Sequence, residues 1–86
     1  MPRPTPVYDP ALRRAIALAL VQLRNRAGHS QLTLQAASGI SLRHIANLEK
    51  GTNNPGMEMV ARYLAPLKCD LIAFAREVEK AKKKAA

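Results

Sequence analysis

Apolar residues recur at helical spacing in five stretches of this chain. In the first, Leu12, Ile16, Leu20, Leu23 and Ala27 fall three or four positions apart, which is the spacing of one helix face. Asp9-Pro10 precedes them as an N-cap with proline in the first turn, and Gly28 follows as a stop signal. The pattern predicts a helix from about Pro10 to Ala27. Ser30 then caps a short second helix over about 31–37, with Leu34 and Ala37 facing inward. Ser38-Gly39 makes a turn, because glycine tolerates the left-handed backbone needed there. Ile40 packs into the angle, and Ser41 caps a third helix over about 42–50, with Ile45 and Leu48 inside and Gly51 ending it. Thr52 to Pro55 reads as an exposed loop. A fourth helix starts near Gly56 or Met57 and offers Val60, Tyr63, Leu64 and Leu67 to the core. It stops at Ala65 or slightly earlier, since Pro66 disfavours a helical residue before it. Asp70 caps a fifth helix with Leu71, Phe74, Val78 and Ala81 on one stripe.

No stretch alternates apolar and polar residues as a half-buried strand does, so the expected fold is all-α. Residues 1–8 carry Pro2, Pro4 and Pro6 and read as a loose N-terminal arm. Residues 9–79 form the domain, and 80–86 read as a fraying basic tail with Lys80, Lys82, Lys83 and Lys84.

Composition narrows the picture. With 86 residues there is room for one domain and a modest core. Tyr8, Tyr63 and Phe74 are the only aromatics, so that core is aliphatic. Net charge is +8, and five of the six acids lie at Glu49 or later. Between Pro10 and Leu48 there is no acid, but there are Arg13, Arg14, Arg24, Arg26 and Arg43. A segment of one sign attracts polyanions, or is simply a solvated face. Cys69 stands alone and reads as a small buried hydrophobe; with His29 and His44 it makes no zinc set. Arg13-Arg14 before an apolar run resembles a signal peptide only faintly. The run is short, Gln22, Arg24 and Arg26 follow it, and it cannot span a bilayer. A soluble cytoplasmic protein is expected, with no membrane partner.

The segment Ser30 to Gly51 carries the most chemistry. Two short capped helical patterns flank a glycine turn, and the second presents Arg43, His44 and Asn47 outward. A basic helix braced from behind fits a DNA major groove. Ser30-Gln31, Gly39-Ile40-Ser41, Ile45-x-x-Leu48-Glu49-x-Gly51 and Asn54-Pro55 together resemble the Cro/C1-type, or XRE, helix-turn-helix proteins of the phage lambda-repressor kind. The likeness runs from Leu20, Leu23, Arg24 and Gly28 through to Phe74, about three quarters of the chain.

That resemblance implies a compact five-helix lambda-repressor-like domain binding double-stranded operator DNA, usually as a two-fold homodimer. It implies that Gln31 contacts a phosphate, that Leu42, Arg43 and Asn47 reach base edges, and that Arg24 and Glu49 form an ion pair tying the first helix to the third. Gln35 departs from the small residue expected where the two short helices approach. Either the crossing opens, or Gln35 turns aside and Ala36 takes the contact. Ser38 and His29 also stand where a larger aliphatic residue is common.

Single residues keep two readings. Arg43 can bind guanine in a bidentate manner, worth roughly 1–3 kcal/mol of discrimination, or contact only a phosphate. Leu42 can touch a thymine methyl or cover part of the second helix. His44 and Asn47 are base or phosphate partners, or face water. Ser30, Gln31, Ser41, Lys50, Thr52, Asn53 and Asn54 are candidates for backbone positioning, the two asparagines being ordinary turn residues as well. Glu49 near a polyanion makes sense when Arg24 neutralises it. Leu18, Val21, Ile72 and Phe74 are the candidate dimer surface, with Leu18 and Val21 alternatively meeting the fifth helix. Arg3 on the arm can enter a minor groove or remain solvated.

The expected function is a sequence-specific transcriptional regulator, acting as a repressor at a palindromic operator, of the sort carried by mobile elements. It needs no cofactor or small-molecule ligand. The alternative is an antitoxin-type interaction protein that neutralises a partner and represses its own operon. A third reading is a non-specific nucleic-acid binder using the lysine tail; single-strand platforms rely on stacked aromatics, which the basic segment lacks. An enzyme is not expected: no nucleophile with a base, phosphate loop or metal set is visible.

Overall fold

The computed structural model describes residues 9–51 and 55–85. Helix α1 spans Pro10–Arg26, α2 Gln31–Ser38, α3 Leu42–Lys50, α4 Met57–Leu64 and α5 Leu71–Ala85, with a 3-10 turn over Ala65–Leu67 between the last two. No strand occurs among the described residues. The arm over 1–8, with Arg3, and the loop residues Thr52, Asn53 and Asn54 lie outside them.

Caps set the boundaries. Asp9 accepts from the backbone N–H of Ala11 and of Leu12, both at 3.1 Å, and Pro10 occupies the first turn, where a missing N–H costs nothing. Ser30 and Thr33 exchange bonds as a capping box: Ser30 Oγ accepts from the Thr33 N–H at 3.0 Å, and Thr33 Oγ1 accepts from the Ser30 N–H at 2.9 Å. Ser41 Oγ accepts from the His44 N–H, and Asp70 from the Ala73 N–H. Pro66 falls in the 3-10 turn, so α4 ends at Leu64.

The core gathers Leu20, Leu23, Leu34, Ile40, Ile45, Leu48, Val60, Tyr63, Leu64, Phe74 and Val78. Helix α1 packs along α5 and against α3, and its buried stripe is built from Ala15, Ala17 and Ala19 as well as the leucines. Leu12 and Ala27, expected inside, are exposed, because they sit at the ends of α1 beyond the stretch its neighbours cover. Ala37 is also exposed: only Leu34 reaches the core from α2, and Ile40 just past the turn supplies the next contact.

Helix α5 departs most from the sequence reading. Its inward stripe is Phe74, Glu77, Val78 and Ala81, while Leu71 is 40% exposed. The expected tail over 80–86 continues the helix to Ala85, with Ala81 only 2% exposed. Packing against α1 holds these turns helical where lysine composition alone suggested fraying. The two helices run antiparallel: Arg26 at the end of α1 pairs with Glu77, whereas Leu18 and Val21 share a groove with Ala81. Cys69 is half-buried against the core, and burial raises its thiol above the ordinary cysteine range. No described helix is long and apolar enough to cross a membrane.

Candidate nucleic-acid interface

The candidate surface depends on how α3 is held. Gly39, at φ 76°, turns the chain between α2 and α3, and Ser38 Oγ accepts from the Ile40 N–H across it. Ile45 and Leu48 bury one side of α3 completely or nearly so. At the far end Gly51, at φ 75°, lets α3 close on α1: a Cβ there would lie 3.3 Å from the Ala17 Cβ and 3.4 Å from the Arg13 carbonyl oxygen. The opposite side of α3 is open.

Leu42, Arg43 and His44 are exposed and Asn47 is half-buried. Ser41, Arg43, His44 and Asn47 line one open surface depression. The Arg43 side chain makes no hydrogen bond or ion pair among the described residues. Lys50 is exposed at the end of the same helix. Of the four residues expected to reach base edges, Arg43, His44 and Asn47 border one depression, and Leu42 is exposed outside it.

Behind them lies a saturated carboxylate. Glu49 Oε1 accepts from Arg24 Nη2 and Gln31 Nε2, each at 2.9 Å. Glu49 Oε2 accepts from Arg24 Nε at 2.8 Å and from the Tyr63 hydroxyl at 2.5 Å. The Tyr63 oxygen also lies 3.1 Å from the Leu20 carbonyl, but its single proton goes to the charged acceptor. Arg24 spends its remaining nitrogen on Asn25 Oδ1 and the His29 carbonyl. Four helices thus meet at one carboxylate.

Burial pushes the Glu49 carboxyl upward, but hydrogen bonds from Arg24, Tyr63 and Gln31, with the Arg24 charge, outweigh it and hold the group below the usual glutamate value. The bond to Glu49 raises Arg24 further above neutrality despite burial. Burial, followed by the neighbouring carboxylate, moves the Tyr63 hydroxyl above the ordinary phenol range. No buried side-chain nitrogen or oxygen among the described residues lacks a partner. A glutamate on the underside of a basic helix therefore presents no bare negative charge outward.

The positioning candidates divide. Ser30 and Ser41 spend their hydroxyls as acceptors for helix caps. Gln31 directs one amide proton at Glu49, leaving the second amide proton at the start of α2. Gln35 is half-buried and Ala36 exposed, so Ala36 does not take over the contact between α2 and α3.

The dimer candidates divide too. Ile72 is 66% exposed and Leu18 40%, and Val21 is half-buried in the groove beside α5. Phe74 is 8% exposed and belongs to the core, which removes it from any dimer surface. It lies on the stripe with Val78 and Ala81, two positions round from Ile72 and therefore on the other side of α5.

Two participants were invisible in the sequence reading. The spacing of Tyr63 predicts a core ring; the signal for more is its hydroxyl, since a buried tyrosine needs a polar partner. The Arg26–Glu77 pair joins α1 to α5 across 51 positions, and Glu77 sits within an otherwise apolar stripe. A buried carboxylate in that register requires a cation.

Comparison with known proteins places this arrangement. The model of the Helix-turn-helix family HTH_3, the Cro/C1 type, matches residues 20–74, from within α1 to Phe74 of α5. A curated relative from Haemophilus influenzae, named an uncharacterized HTH-type transcriptional regulator, is 41% identical over 61 residues, 71% of this chain. The match spans 62% of that relative's length. No solved structure matches the chain.

Proposed function

Because the chain belongs to the Cro/C1-type helix-turn-helix family, a family of DNA-binding rather than catalytic proteins, we propose that it regulates transcription by binding duplex operator DNA through α3. The observation that carries this reading is the open row of Arg43, His44 and Asn47 on a helix whose other side is buried and whose one acid is fully neutralised. In the proposed complex Arg43 and Asn47 read base edges, with His44 and Leu42 beside them. Lys50, the second amide proton of Gln31 and the backbone near Ser30 and Ser41 meet phosphates and fix register. Thr52, Asn53 and Asn54, which lie outside the described residues, are proposed as further phosphate partners. The protein acts in the cytoplasm, where the DNA is.

We further propose a repressor that binds a palindromic site as a homodimer, with half-sites about one helical turn apart, roughly 10 bp. The exposed Leu71, Ile72 and Ala75 on the outer side of α5 line an apolar groove suited to a second copy. Sedimentation of the protein with Ile72→Asp tests this: the dimer should dissociate while α3 stays folded. A monomer carrying a different protein on that face would favour the antitoxin reading instead.

The test of the main reading is selection of bound sequences from random duplexes, followed by Arg43→Ala. The substitution should lower discrimination between selected and random DNA by about 1–3 kcal/mol, roughly fivefold to more than a hundredfold. Equal affinity of the parent for both duplexes would remove sequence-specific regulation from consideration.

A further inference from the structure

The antiparallel packing of α1 on α5 gathers positive charge at one end of the molecule. Arg14 and Lys50 line a groove together with Ala81, so the end of α3, the start of α1 and the last turns of α5 adjoin. Lys80, Lys82, Lys83 and Lys84 are all exposed on those turns. Glu49 also lines that groove, but its carboxylate is already taken up by Arg24, Gln31 and Tyr63. On the last turns of α5 Glu79 lies 3.8 Å from Lys82 and is itself 66% exposed, too loosely held to neutralise the group.

Helix dipoles explain part of this arrangement but not all of it. Cations at the C-terminal ends of α5 and α3 complement the negative pole there. Arg14 sits toward the positive end of α1, whose first turn contains no acid, and gains nothing from that source. Like charges gathered at one end of a small domain repel one another. A polyanion lying across them removes the repulsion and releases its own counterions. Because Ala81 is buried, these lysines project from a fixed helix rather than a loose tail.

We propose that Arg14 and Lys50, with Lys82 and Lys84 flanking Ala81, form a second phosphate-binding surface, which follows the backbone of duplex DNA beyond the base pairs read by α3; Lys80 and Lys83 border the outer groove assigned above to a second copy. This rests on the proposed function, since Lys50 is the point where the two surfaces join. The surface carries no aromatic side chain and no row of amide groups aimed at bases, so its contribution is independent of sequence. It lengthens the footprint and steepens the salt dependence of binding.

The test compares the parent with the combined variant Lys82→Gln, Lys84→Gln, which keeps good helix formers in place and leaves the outer groove of α5 untouched. Affinity is measured against salt on two duplexes, one ending at the edge of the selected site and one carrying roughly one further turn, about 10 bp, on each side. On the long duplex the variant should bind roughly tenfold more weakly near 0.1 M salt. Its plot of log affinity against log salt should be shallower by about 2, at about 0.9 per lost phosphate contact. On the short duplex parent and variant should agree. Arg14→Gln, placed on a different helix, should flatten the long-duplex slope by about 1, which guards against local unfolding of α5. Identical slopes for parent and variants on the long duplex would overturn the proposal while leaving the α3 reading intact. So would loss of binding to phosphatidylserine vesicles with DNA slopes unchanged, which would assign the surface to a membrane. Failure of the parent to bind any duplex would overturn both readings.

Discussion

Two arginines two positions apart on α1, Arg24 and Arg26, each clasp a glutamate from a distant helix, yet the clasps differ in kind. Arg24 and Glu49 have side chains only 11% and 6% exposed, at 2.8 Å. Arg26 is 63% exposed, and its bonds to the buried Glu77 are longer, 3.1 and 3.3 Å. Glu49 also accepts from Gln31 and Tyr63, whereas Arg26 supplies both bonds shown to Glu77. The first is a closed network in which every donor depends on one anion. The second is a single contact whose cation is already largely hydrated. Strength comes from the number of buried donors sharing an acceptor more than from the ion pair as such.

The isosteric amide at each glutamate separates the two cases. Glu49→Gln should give the largest effect. An amide offers one oxygen where the carboxylate offered two, and its NH2 group faces donors on the other side. At least two buried donors lose their acceptor, at about 1–3 kcal/mol each, for a total near 3 kcal/mol by urea unfolding. That is a large share of the stability a small domain has. A loss under about 1 kcal/mol would mean the network relaxes onto water and that the contrast drawn here is false. DNA affinity should fall with it, because Gln31 and α3 both lose their common anchor.

The same contrast predicts a pH dependence. The folded state holds Glu49 below its ordinary value of 4.5. Protonation therefore favours the unfolded chain, and the stability due to Glu49 is complete above the unfolded glutamate range. It is lost as pH falls through the lower folded value. Urea midpoints measured from pH 6 down to pH 3 should decline most steeply below 4.5, and this component should vanish in Glu49→Gln. An unchanged acid profile in that variant would assign the decline to other carboxyls.

Tyr63→Phe is the intermediate case. It removes one hydrogen bond to a charged group and little volume, which should cost about 1.5 kcal/mol. It should also move the Glu49 acid transition upward, because one of the donors stabilising the ionised form is gone. If stability falls with no shift in the acid profile, the hydroxyl serves the Leu20 carbonyl instead.

These cases mark how far the sequence could be read. Ser30, Gly39, Ser41 and Gly51 announced the two short helices, because caps and left-handed turns act locally. The exposed side of α3 followed from its period. Arg24–Glu49 was legible only through family resemblance, since its partners stand 25 positions apart. The inward stripe of α5 is legible at Phe74, Val78 and Ala81 but not in its first turn: Leu71 and Phe74 both fit a helical stripe, and periodicity alone does not say which three-residue step faces inward. Glu77 settles it in the folded molecule, but a glutamate in an apolar stripe argues for exposure until Arg26 is known to lie opposite.

The smallest predicted effect belongs to that second clasp. Glu77→Gln keeps a carbonyl oxygen for one Arg26 N–H and removes a charge from a nearly buried site. The lost attraction to a 63% exposed guanidinium is screened by solvent, and the saved desolvation runs the other way. Stability should change by less than about 1 kcal/mol and depend little on salt. DNA binding should hold as well, because Glu77 anchors α5 and leaves α3 untouched. A loss near 3 kcal/mol, equal to that expected at Glu49, would show that solvent does not relieve the Arg26 end and that the two clasps are alike after all.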